Sequence, residues 1–317
     1  MNKETSNQHI TSIYNKNLFK NKVLLLTGGT SKMLYQIAYD FMMLGGNVAL
    51  VSRKKKDLDD IALKLTNKCN NNTKAIGYDL NLKDHTKYES VIDLILKDFK
   101  HIDVLVNGAA GNFLAFAENL SYNAFKTVIE IDTLSTFYMS KLVFTKCFKK
   151  NYFNHINNNS TDLHSFESGC IINISANLHH LGTLMNSHAA AAKAGVDAIT
   201  KSLALEFGPY KVRVNGICPG FIEGTEGFDR LSNPNANKNN NYKKNEDKNA
   251  LSDIVNYIPV QRLGNRSDIS NCFVFLASQS SNYITGQTIE VDGGQKSIMP
   301  NFIINYPGFI KYWKPKF

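Results

Sequence analysis

Short apolar runs alternate with helical patterns from near residue 20 to near residue 292. The runs are Val23 to Leu26, Val48 to Val51, a weaker Ala75 to Tyr78, Val104 to Val106, Ile171 to Ile174, Val212 to Cys218 and Thr288 to Val291. Strands covered by helices on both faces carry apolar residues without alternation, which is the parallel-sheet pattern. Between the runs, Tyr35, Ile37, Ala38, Phe41 and Met42 share one helical face. Val91, Leu94, Ile95 and Phe99 share a second, and Ala194 to Phe207 supplies a third. The rhythm predicts an α/β fold: a single doubly wound Rossmann-type domain, with about seven parallel strands and helices on both faces.

The expected boundaries are an N-terminal extension over 1–19, the Rossmann-type domain over 20–295 and an apolar tail over 296–317. Two Asn-rich segments, about 149–168 and 231–250, interrupt the rhythm and bury too little to repay ordering, so they read as loop insertions. The tail holds Phe302, Tyr306, Trp313 and other large apolar residues, and is expected to pack on something, such as a partner subunit.

A hydrophobic fraction of 43% excludes a chain disordered throughout. No apolar run approaches the roughly 20 residues of a membrane span. Met1 to Lys20 includes Glu4 and has no apolar core, so no signal peptide is expected. Cys69, Cys147, Cys170, Cys218 and Cys272 form no C-x-x-C pair, which argues against a zinc ribbon or disulfide framework and for a reducing compartment. The net charge of +9 could serve anionic partners such as phosphorylated cofactors or nucleic acid. Lys and Asn dominate the apparent surface insertions, however, so the charge reads as solvated surface and no nucleic-acid partner is expected. Lys54, Lys55 and Lys56 differ, because they follow a strand end.

The first strand ends in Thr27-Gly28-Gly29, where a helix begins. Unpaired N–H groups and a partial positive charge at such a helix start suit a pyrophosphate. Gly28, Gly29, Thr30, Ser31, Lys32 and Met33 are the candidate cradle. Two further glycines of a full dinucleotide fingerprint are replaced by Lys32 and Leu34. Lys32 could supply a charge contact or obstruct the pocket. Leu34 sits where the helix should approach the sheet closely. If the two merely impair the loop, restoring glycine at both should tighten the cofactor. After the second strand comes Ser52-Arg53, about 25 residues past Gly28 and near the spacing at which the ribose is read. A hydroxyl and a cation there, rather than an acid, favour a 2′-phosphate and hence NADPH.

Further motifs follow in order: Asp79-Leu80, Asn107-Gly108-Ala109-Ala110-Gly111, Lys193, Pro219-Gly220 and Val291-Asp292-Gly293-Gly294. Over about Lys20 to Gln295 the chain resembles the short-chain dehydrogenase/reductases. Asn107 to Phe113, Asn123 to Thr127, Ile131 to Thr133, Gly224 to Gly227 and Gln261 to Asn265 resemble the peroxisomal-type 2,4-dienoyl-CoA reductases within them. The resemblance implies NADPH-dependent reduction of a 2,4-dienoyl-CoA to a 3-enoyl-CoA in unsaturated fatty acid metabolism. Most members of the wider family use Tyr-x-x-x-Lys, but here Ala189 occupies the tyrosine position before Lys193, and Ala176, beside Ser175, the serine position. No tyrosine lies between Ile171 and Lys193, so ordinary carbonyl reduction is disfavoured. The resemblance implies that Asp132 and Lys193 act instead. It also implies that Asp79 contacts the adenine, that Asn107, Lys193, Pro219, Gly220, Phe221, Ile222 and Thr225 hold the cofactor, and that Arg53, Phe113, Ser121, Tyr122, Asn123 and Arg230 contact the acyl-CoA. A homo-oligomer, commonly a tetramer, is implied too.

Two alternatives stay open at this point: a catalytically impaired binding protein, motivated by Lys32 and Leu34, and a reductase of another enoyl or carbonyl substrate. No metal is expected, and His179, His180 and His188 read as structural. The expected compartment is cytoplasmic or peroxisomal, because Lys314-Pro315-Lys316-Phe317 is not a peroxisomal address of the Ser-Lys-Leu type.

Overall fold

The structure, a computed structural model, describes residues 10–69, 71–158, 166–180, 182–225, 255–256 and 258–298. Seven parallel strands form one sheet in the order β3-β2-β1-β4-β5-β6-β7. They are β1 (Val23–Thr27), β2 (Asn47–Ser52), β3 (Ala75–Asp79), β4 (Val104–Asn107), β5 (Gly169–Ile174), β6 (Val212–Pro219) and β7 (Thr288–Val291). Every apolar run of the sequence is therefore a strand. The chain leaves β1 toward β2 and β3, then returns to the other side of β1 through β4. The order reverses at that point, and a crevice opens beyond the carboxyl ends of the strands.

The helices are α1 (Lys32–Met43), α2 (Lys55–Cys69), α3 (Tyr88–Phe99), α4 (Tyr122–Ile129), α5 (Ser135–Val143), α6 (Lys149–Asn157), α7 (Ser187–Phe207), α8 (Arg266–Ala277) and α9 (Gln295–Ile298). Alternate strand residues serve opposite faces. Leu24, Leu26, Val48, Leu50, Val106 and Ile172 pack against α1, α2 and α8. Val23, Leu25, Ala49, Val51, Leu105 and Ile171 pack against α3, α5 and α7. Burying both faces excludes water from the central strands β1, β4, β5 and β6 and is the main source of stability.

Several boundaries differ from expectation. Lys149–Asn157 continues the preceding helix instead of forming a loop, because Phe148 is fully buried just before it and fixes its direction. Ile10 and Phe19, in the expected N-terminal extension, are buried in the core, and the Phe19 ring stacks on Phe41 at 4.4 Å. On α3, Leu94 points to solvent while Tyr88 and Ile92 join the buried face. Residues 231–250 and 299–317 lie outside the described residues.

Candidate active site

A cavity of about 650 Å³ opens over the carboxyl ends of β1, β4 and β5. Gly28 forms its floor in a left-handed conformation (φ +80°), and a Cβ there would lie 2.9 Å from the Ala109 backbone nitrogen. Only glycine permits that approach between the β1 and β4 loops. The Thr27 hydroxyl accepts from the Gly108 N–H at 3.1 Å and ties the same two loops together. Thr30, Ser31 and Met33 line the cavity, but Gly29 and Lys32 do not. Ser31 is the N-cap of α1, yet its hydroxyl makes no capping bond.

Leu34 is fully buried. A Cβ on Gly108 would lie 2.6 Å from its Cδ1, so the leucine fills the space that a side chain at 108 would take. A large side chain on the helix packs over a glycine at the end of β4, and the close approach is preserved. Lys32 is exposed. Neither residue closes the cavity.

At the end of β2, Ser52 and Arg53 line the cavity, and the Ser52 and Thr30 hydroxyls are 3.3 Å apart. Lys54 and Lys55 are engaged by Asp57 and Asp59 on the first turns of α2. Arg53 is thus the cation of this cluster that faces the cavity. Asp79 pairs in register with Ser52 but is exposed and outside the cavity wall; Leu80, Asn81 and Leu82 take its place there. Asn107 lies behind the wall. Its amide donates to Ser140 and Asn173, and Asn173 donates to Thr200, in a buried chain linking β4, β5, α5 and α7.

Asp132 is 1% exposed and lies in a π-helical turn, Glu130–Leu134, between α4 and α5. One carboxylate oxygen accepts from the Gly111 N–H at 2.7 Å, and the other is 3.1 Å from Lys193 Nζ. Lys193 projects from α7 and also donates to the Ile174 carbonyl at 2.9 Å. The π turn packs closely on α7 here. A Cβ on Gly195 would lie 2.7 Å from Thr133 Cγ2, and the Thr133 hydroxyl donates to the Ala192 carbonyl. Both members of the pair line the cavity, as do Ala176, Ala189 and Ser175. The Ser175 hydroxyl is buried without a hydrogen-bond partner.

Pro219, Gly220, Phe221, Ile222 and Thr225 form the opposite wall. Phe113 lines the cavity and stacks on His188, ring centroids 4.3 Å apart. Burial pushes the His188 imidazole below its ordinary pKa. Ser121, Tyr122 and Asn123 sit outside the cavity wall at the exposed start of α4, where the Ser121 hydroxyl caps the helix by accepting from the Ala124 N–H. Arg230 lies outside the described residues.

Comparison with known proteins places the chain in a family. Residues 33–296 match the family described as Enoyl-(Acyl carrier protein) reductase. The chain is 37% identical over 284 residues to the peroxisomal 2,4-dienoyl-CoA reductase [(3E)-enoyl-CoA-producing] of Danio rerio, covering 90% of this chain and 84% of that one. It is also 37% identical to the protein of the same name from Rattus norvegicus, covering 90% and 87%. A solved short chain dehydrogenase from Bacillus anthracis is 30% identical, with a TM-score of 0.68 and coverage of 87% and 97%. The chain belongs to the short-chain dehydrogenase/reductase family.

Membership makes this protein an oxidoreductase and implies a nicotinamide dinucleotide. The residues fit that group. The backbone cradle at Gly28 excludes a side chain, and the free Ser31 hydroxyl and the N-terminus of α1 face the same space. When bound, the cofactor supplies or accepts a hydride. This short-chain dehydrogenase/reductase lacks a phenol and hydroxyl at the positions of Ala189 and Ala176, so its ionisable catalytic candidates are the buried carboxylate and ammonium. Sequence reading missed Ser175, Asn81 and Asn112 as wall residues. Ser175 had one available signal, its place directly after β5 beside the vacated serine position.

Proposed function

We propose that the protein is an NADPH-dependent 2,4-dienoyl-CoA reductase yielding a 3-enoyl-CoA in unsaturated fatty acid metabolism. One observation carries the reading: a buried Asp132–Lys193 pair faces a cavity from which the carbonyl-reducing phenol is missing. Reducing a ketone requires protonation of an alkoxide. Reducing a conjugated dienoyl thioester requires protonation of a carbon, after hydride addition at the δ carbon moves electrons onto the thioester oxygen. Protonation at the α carbon leaves the β,γ double bond of a 3-enoyl product. A water held by Asp132 can deliver that proton, and Lys193 offsets the carboxylate charge and orients the nicotinamide ribose.

Ser175 is the donor assigned to the thioester oxygen. Its hydroxyl is buried, faces the cavity and lacks a partner, and an orphaned donor of this kind gains most when charge develops opposite it. Ser175→Ala should lower kcat by about tenfold to a hundredfold, the value of one hydrogen bond to a charged group, with KM for the cofactor little changed. An unchanged kcat removes Ser175 from the mechanism.

Arg53 is assigned to the 2′-phosphate. Arg53→Ala should weaken NADPH by about tenfold or more, as expected for a lost charge-assisted contact, while NADH affinity stays level. Equal weakening of both would place Arg53 elsewhere, for example on the CoA phosphates. The deciding experiment is a spectrophotometric assay of NADPH oxidation with 2,4-hexadienoyl-CoA and 2-hexenoyl-CoA. Turnover of the dienoyl ester alone, with a 3-enoyl product, supports the proposal. Faster turnover of the monoenoyl ester replaces it with a different enoyl reductase.

A peroxisomal or cytoplasmic setting accompanies the proposal, the former suggested by the relatives' names. No described helix is long and apolar enough to cross a membrane. Homo-oligomerisation is proposed through the exposed edge of α7, where Ala194, Ala198 and Leu205 face outward.

A further inference from the structure

Beside the cavity, one helical turn along α7 from Lys193, two adjacent histidines meet a buried carboxylate. His179 Nε2 is 2.8 Å from Asp197 Oδ2, and the His179 and His180 ring centroids are 4.2 Å apart. One donor atom from each of His179, His180 and Asp197 falls within a span of 4.8 Å. Glu290, on β7, reaches to 3.4 Å from His180 Nε2. The residues come from three separate places: the loop after β5, the middle of α7 and the last strand.

Simple hydrogen bonding leaves this cluster incomplete. His179 Nδ1 is buried without a hydrogen-bond partner, and buried His180 Nε2 meets the Glu290 carboxylate at 3.4 Å without a well-aligned hydrogen bond. Buried ring nitrogens left in this state are uncommon in a folded protein and call for an explanation. Charge is unbalanced as well: two carboxylates, Asp197 and Glu290, meet a single ammonium, that of Lys296 on Glu290. The Thr288 hydroxyl donates to Asp197 Oδ1 at 3.1 Å and so directs the other oxygen toward the imidazoles. Metal-binding carboxylates are commonly oriented by such an outer hydrogen bond.

We propose that His179, His180 and Asp197 form a binding site for a divalent transition-metal ion of the zinc type, with Glu290 or water as the fourth ligand. Two imidazoles exclude magnesium and calcium, which take oxygen ligands, and suit zinc, which takes nitrogen and carboxylate ligands at about 2.0–2.2 Å in a tetrahedron. Tetrahedral ligands at that radius stand roughly 3.4 Å apart, so rotation of the two rings closes the cluster around an ion. The ion would fasten the loop after β5 to α7. Asn177 and Leu178 on that loop line the cavity, so the ion would stiffen one wall without entering the chemistry. The proposal does not depend on the identity of the reduced substrate.

The test is calorimetric titration of the metal-stripped full chain with Zn²⁺, paired with Co²⁺ titration read by visible absorption. One equivalent of Zn²⁺ should bind with micromolar affinity or better, and Co²⁺ should give the intense visible bands of a tetrahedral site. His180→Gln and Asp197→Asn should each weaken Zn²⁺ by about tenfold or more, with circular dichroism of each variant verifying its fold. His180 is partly exposed, so its variant decides the matter if Asp197→Asn misfolds. Absence of Zn²⁺ binding by the wild-type chain, or unchanged binding by a folded His180→Gln, overturns the proposal.

Discussion

Lys193→Ala is expected to lower kcat for the dienoyl ester by about a thousandfold, within the range for loss of a positioned acid–base group. The substitution removes the charge beside Asp132, the bond to the Ile174 carbonyl and the proposed ribose contact together. It also leaves Asp132 buried without its counter-charge. Breaking a buried pair from one side costs about 3–5 kcal/mol, so thermal unfolding must accompany the kinetics. Asp132→Asn is the companion, because an amide oxygen can still accept from the Gly111 N–H while the charge is gone. A loss of about tenfold or more is expected there. Near-normal turnover in both folded variants eliminates the proton relay.

The second large effect concerns stability. Leu34→Gly should destabilise the protein by about 3–6 kcal/mol, combining a buried leucine cavity with a glycine in a helix. Urea unfolding measures it directly. Loss of less than about 1 kcal/mol, the helix-propensity cost alone, would mean that Leu34 contributes no packing. NADPH affinity should not improve, the outcome expected of a site that has adapted around Leu34. Gly108→Ala should overpack the same contact and cost about 1–3 kcal/mol. Combining Leu34→Ala with Gly108→Ala should cost less than the sum of the two, as touching residues do. Strict additivity would show that the two positions do not share space.

The same pair shows where sequence reading stopped. All seven strands were legible because a parallel sheet needs unbroken apolar runs, and that need is local. The cavity floor at Gly28 and the charge at Arg53 were legible from their spacing after the first two strands, whereas Asp132 and Lys193 were singled out by the family resemblance alone. Leu34 reads as an obstacle in the sequence because the space it fills is left by Gly108, just past β4 and more than 70 residues away. The resemblance assigns Asn107 to the cofactor and Ser121 to the acyl-CoA; the structure adds a buried amide chain at the first and a helix cap at the second, neither visible in the sequence. The His179–Asp197 contact leaves no spacing signature, since a loop and a helix bring it together. Lys149–Asn157 is polar enough to read as a loop, but the helix entering it, fixed by Phe148, decides its form.

The π turn that carries Asp132 has a genealogical consequence. A π turn holds one residue more than the α-helical turn it interrupts, and each helical residue advances the side chain by about 100°. Removing one residue from Glu130–Leu134 would therefore swing the carboxylate away from Lys193 while leaving the helix continuous. Read in reverse, a one-residue insertion in a regular helix would turn a carboxylate already present toward Lys193, and a one-residue deletion would turn it away. Point substitutions and length changes at this turn are thus separate evolutionary routes to gain or loss of the same chemistry.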